Sequence, residues 1–77
     1  MPVVRVSVTL KPSLLDSAGR TVADALHRQS FTEVTDVRIG KLIELQVTEV
    51  DEARIRQMCA DLLANPVIED FSFEVVQ

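Results

Sequence analysis

The chain's most reactive side chains are one histidine and one cysteine, and their positions limit what chemistry either can do. Histidine titrates nearest neutrality, but His27 has no Ser or Cys beside it in sequence. At helical spacing it lies on a polar side, where a surface role is favoured. Cys59 recurs with apolar residues on one helical stripe, so a buried structural thiol is favoured over a nucleophile. The acid pairs Asp51-Glu52 and Glu69-Asp70 are of a type used in acid–base or metal chemistry. The first pair opens a helix and the second borders a strand, so capping and solvated roles are favoured. Gly40-Lys41 is a glycine-lysine step without the further glycines or following Ser or Thr of a phosphate loop. No cluster has metal-ligand spacing, and a lone cysteine forms no internal disulfide. The expectation is a chain with no catalytic, cofactor-binding or metal residue of its own.

Composition points the same way. Seventy-seven residues make one domain over 1–77, and a core of this size rarely supplies more than ~3–5 kcal/mol. With disulfide and metal set aside, association is the remaining route to stability. A hydrophobic fraction of 47% argues for a folded chain, and a net charge of −4 with dispersed Lys and Arg argues against nucleic acid. Met1-Pro2 leads directly into strand pattern and no apolar run approaches bilayer length, so neither a leader nor a membrane is expected. The single thiol fits a reducing compartment, with the cytoplasm as the expected location.

Positioning elements follow from periodicity. Val4, Val6, Val8 and Leu10 alternate with Arg5, Ser7 and Thr9, a half-buried strand. Asp16 or Ser17 caps a helix whose stripe, at about 100° per residue, is Leu15, Ala18, Val22, Ala25 and Leu26. Gly19 weakens that helix by about 1 kcal/mol relative to alanine. Val37 and Ile39 mark a second strand, and Ile43, Leu45 and Val47 a third. Opposing Ile39 to Ile43 and Val37 to Leu45 keeps one face apolar, which predicts a hairpin with a three-residue connection, Gly40-Lys41-Leu42, or a bulge there. Asp51 or Glu52 opens a second helix with the stripe Ile55, Met58, Cys59 and Leu62. Pro66 then stops the helix, and strand pattern resumes at Val67 with almost no loop. Phe71, Phe73 and Val75 form the inner face of the last strand.

The order strand-helix-strand-strand-helix-strand, with every element amphipathic, predicts an α+β two-layer sandwich of ferredoxin-like β-α-β-β-α-β topology on an antiparallel sheet. The sheet's other face carries Val3, Leu42 and Val76 among charged and hydroxyl residues. That face and the exposed edges are the expected self-association surface. With inward phenylalanines and no Trp or Tyr, the sheet lacks an RNA-stacking platform. Two rival functions share this outline: a ferredoxin-like small-molecule-sensing regulatory module, and an autonomous small enzyme.

Several segments resemble the PurS family, the small subunit of phosphoribosylformylglycinamidine (FGAM) synthase. They are Val8-Thr9-Leu10-Lys11-Pro12, Leu15-Asp16 followed by Gly19, Asp36 through Leu45, and Leu62 through Phe71. The resemblance runs from Val3 to Val75. The family usually has a glycine after its first helix, where this chain has Gln29-Ser30. The resemblance implies a non-catalytic subunit that associates with itself as a dimer or tetramer. It would bridge a glutaminase subunit (PurQ) and an ATP- and magnesium-using synthetase subunit (PurL), and assist ammonia transfer in purine biosynthesis. The hairpin tip Gly40, Lys41 and the junction Asn65, Pro66 are the expected partner contacts.

Overall fold

The computed structural model describes residues 1–76. Strand β1 (Val3–Leu10) is central, flanked by antiparallel β2 (Gly40–Gln46) and β3 (Glu69–Val76) in the order β2-β1-β3. Helix α1 (Ser17–Arg28) follows β1. Helix α2 (Glu52–Met58) continues into a π-helical turn over Cys59–Leu63 before β3. The architecture is α+β and ferredoxin-like, with an antiparallel sheet and two helices. No helix among the described residues is long and apolar enough to cross a membrane.

The register shows why alternation was informative. Val4, Val6 and Val8 lie opposite Leu45, Ile43 and Lys41 on one side and Val75, Phe73 and Phe71 on the other. All but Lys41 are apolar, and this face is covered by Ile55 and Cys59 of the α2 segment and by Ala64. The three valines, Ile55 and Cys59 are fully buried. The opposite face carries Val3, Leu42 and Val76 among Arg5, Ser7, Glu44, Gln46, Ser72 and Glu74, as the pattern required. On it Arg5 Nε donates to Glu44 Oε2 at 2.9 Å.

Three local expectations are corrected. The hairpin through Gly40-Lys41-Leu42 does not form. Those residues lie within β2 and pair with Thr9, Val8 and Ser7 of β1, while residues 36–39 lie outside the sheet. The competing attachment is to α1. Ile39 N donates to Asp16 Oδ2 at 2.7 Å, and His27 Nε2 donates to the Val34 carbonyl at 2.6 Å. Residues 34–39 therefore run as a strap along the helix.

This strap also explains the second correction. The α1 face buried against other atoms is Gly19 and Ala23, whereas Leu15 of the expected stripe is 75% exposed and Ala18 and Val22 are exposed. Among the described residues, the core cluster draws nothing from α1.

The third concerns Leu62, expected to face inward beside Cys59. Ala64 N donates to the Cys59 carbonyl at 2.8 Å, an i to i+5 bond. A π turn is wider and advances fewer degrees per residue. Leu63 and Ala64 therefore reach the core and Leu62 is left 83% exposed.

Candidate interaction site

Side chains with chemical potential gather beside α1 and the strap, around an open cleft of ≈ 620 Å³ lined by Asp16, Arg20, Asp24, His27, Asp36 and Arg38 among others. Each of them makes a contact within the chain. Asp16 caps α1 by accepting from Gly19 N at 2.8 Å while its other oxygen takes Ile39 N. These two N–H groups, and then the Arg38 charge, hold its carboxyl below the usual range against the opposing effect of burial. Arg38 donates to the carbonyls of Lys11 at 2.9 Å, Leu14 at 3.2 Å and Leu10 at 3.4 Å. Asp36 accepts from Val37 N, and Arg20 lies 3.6 Å from Asp24. Because a carbonyl only accepts, the His27 nitrogen facing Val34 must carry the proton. These groups secure the strap, and no nucleophile stands among them. Cys59 is buried in the core, and desolvation pushes its thiol up, away from the reactive thiolate.

The Asp16 cap was legible from sequence as Asp or Ser before an apolar stripe. Arg38 was not, because its partners are backbone carbonyls that carry no residue signature.

The expected partner contacts fall at one end of the sheet. Gly40 opposes Thr9, which also opposes Asp70 of β3, while Glu69 opposes Leu10. A side chain on Gly40 would meet the Val8 carbonyl at 2.2 Å, so this glycine permits a close strand approach rather than a turn. Lys41 and the junction at Asn65-Pro66 are exposed. A cleft of ≈ 200 Å³ lined by Leu10, Ile39, Gly40, Lys41 and Glu69 among others lies at the same end.

The junction itself is tightly secured. Asn65 Oδ1 accepts from Val67 N at 3.1 Å, and Glu69 Oε1 accepts from Asn65 N at 2.7 Å. The Asn65 carbonyl takes both Ile68 N and Glu69 N. Lys11 N bonds the Ile68 carbonyl, and Lys11 Nζ bonds Asp70 at 2.9 Å. Pro66 has no N–H to satisfy. Short as it is, this connection has few backbone freedoms left.

Comparison with known proteins gives a consistent picture. The family model described as "PurS: Phosphoribosylformylglycinamidine (FGAM) synthase" matches residues 3–77. The chain is 48% identical over 75 residues to the phosphoribosylformylglycinamidine synthase subunit PurS of Bacillus subtilis, covering 94% of this chain and 89% of that one. The crystal structure of B. subtilis PurS superposes with a TM-score of 0.87 at 46% identity, covering both chains in full. A chain from the structure of PurLQS from Thermotoga maritima superposes with a TM-score of 0.79 at 26% identity, covering 99% of this chain and 100% of that one.

Proposed function

Since the chain belongs to the PurS family of FGAM synthase subunits, which serves purine biosynthesis, we propose that it brackets a glutaminase and an ATP- and magnesium-dependent synthetase and assists ammonia transfer between them. The observation that carries this reading is the near end-to-end likeness to PurS chains, one of them from a PurLQS assembly. A physical need supports it. Ammonia at neutral pH is mostly ammonium, which is not nucleophilic, and free ammonia diffuses away. Coupling its release to its use therefore calls for fixed relative geometry and a shielded route. The bracket works in the cytoplasm.

Self-association belongs to the same proposal. The chain measures 47 × 28 × 14 Å with a radius of gyration of 15.5 Å, against about 11.5 Å for a compact chain of its length. Leu15, Ala18 and Val22 of the α1 stripe are exposed, both outer strands are sheet edges, and Leu42 is 62% exposed on the outward face. A second copy covers these surfaces; edge strands invite another strand. The sheet end carrying Gly40, Lys41, Asn65 and Pro66 is then left for the larger subunits.

Reconstitution tests the reading. Synthetase and glutaminase are mixed with ATP, magnesium and formylglycinamide ribonucleotide, and glutamine is compared with added ammonia as nitrogen source. The chain is expected to be required chiefly with glutamine. Equal glutamine-driven turnover without it refutes the coupling role.

A further inference from the structure

Helix α1 and the strap hold each other rather than the core. Asp16 accepts from Gly19 N of the helix and from Ile39 N of the strap, and His27 donates to the Val34 carbonyl. Phe31 N donates back to the Leu26 carbonyl at 3.0 Å. Among the described residues, none from α1 joins the core cluster. A helix of twelve residues is marginal in water by itself, so α1 depends on these bonds to the strap. The chain leaves the sheet after Leu10 and returns at Gly40. Thr9 and Gly40 are register partners, so the two crossings run side by side at one corner of the sheet. A lobe joined to its core in this way is hinged.

Arg38 spans that hinge. From the strap it donates to the carbonyls of Leu10, Lys11 and Leu14 on the outgoing crossing, at 3.4, 2.9 and 3.2 Å. Lys11 is itself fastened to the third strand, through the Ile68 carbonyl and Asp70. We propose that α1 and the strap form an arm that opens as one unit while the sheet and α2 stay folded, with Arg38 as the pin that keeps it closed. Proteins open in contiguous cooperative units, and segments with few buried apolar contacts open most readily. Leu15, Ala18 and Val22 of the arm are exposed, whereas Val4, Val6 and Val8 of the sheet are fully buried. Opening changes the helix face that the molecule presents and leaves the strand pairing intact.

Amide hydrogen exchange of the full chain, followed by NMR under native conditions, tests the arm with no partner present, so its outcome is independent of the bracket reading. The amides of α1 and of Ile39 are expected to exchange through one shared opening, more readily than those of Val4, Val6 and Val8. Arg38→Ala removes bonds from a charged donor and is expected to speed exchange in α1 and at Ile39 about tenfold, with β1 unchanged. Ala25→Gly weakens the helix alone and is expected to speed Ile39 about fivefold together with α1. The arm is overturned if α1 and β1 open together in the wild type. It is equally overturned if Arg38→Ala moves both alike or neither, or if Ile39 does not respond to Ala25→Gly.

Discussion

Replacing Gly19 with alanine sets two effects of known sign against each other. Inside a helix, alanine is favoured over glycine by about 1 kcal/mol, so from sequence alone Gly19→Ala stabilises. The structure reverses this. A Cβ at residue 19 would lie 2.2 Å from the Val37 carbonyl oxygen, and that oxygen belongs to a strap bound on either side, at Ile39 N by Asp16 and at the Val34 carbonyl by His27. Relief requires backbone to move by about an ångström, and overpacking of this kind costs ~1–3 kcal/mol. With rigid backbone as the obstacle the upper part of that range applies, leaving a net loss of about 1–2 kcal/mol after the propensity gain. Urea denaturation followed by circular dichroism reads this directly. With an m-value near ~1 kcal/mol/M for so short a chain, the midpoint falls by about 1–2 M. Both proteins are compared at the same concentration, because any association of the folded form shifts apparent stability. A midpoint that rises, or does not move, refutes the close strap contact and with it the account of why α1 buries Gly19 and Ala23.

Further perturbations probe other parts of the same framework. Ser30, two residues past the end of α1, has φ 75°, in the left-handed region that glycine occupies without strain. Ser30→Gly should therefore raise stability by about 0.5–1 kcal/mol in the same denaturation assay. Asp16, whose pKa is depressed chiefly by Ile39 N–H, contributes stability that is present above the unfolded carboxylate value and lost as pH falls through the lower folded value. Asp16→Asn should be less stable than the wild type at neutral pH, and the gap should close as pH falls from about 5 toward 2. Cys59, buried and with its thiol pushed up, should resist a thiol reagent at neutral pH in the native protein and react once urea unfolds it.

The two sheet faces and the capping of both helices were legible in the sequence because each depends on short-range rules. Strand residues alternate sides whatever their partner, so Val4, Val6, Val8, Phe71, Phe73 and Val75 were placed correctly without knowing the strand order. Asp16 and Asp51 cap helices because a carboxylate satisfies N–H groups two or three residues away. The exit of α1 was less legible: Ser30 takes the left-handed conformation there although it is not glycine.

What only the tertiary structure decided is which of several local solutions prevailed. Alternation over residues 36–46 fits a hairpin as well as an edge strand with a strap, and long-range bonds from Asp16, His27 and Arg38 select the second. Helical periodicity assumes a constant turn, so it could not foresee the π turn that trades Leu62 for Leu63 and Ala64. Residue types and spacings encode what a side chain prefers. Which preference is met depends on backbone groups that look alike at every position until the fold brings particular ones together.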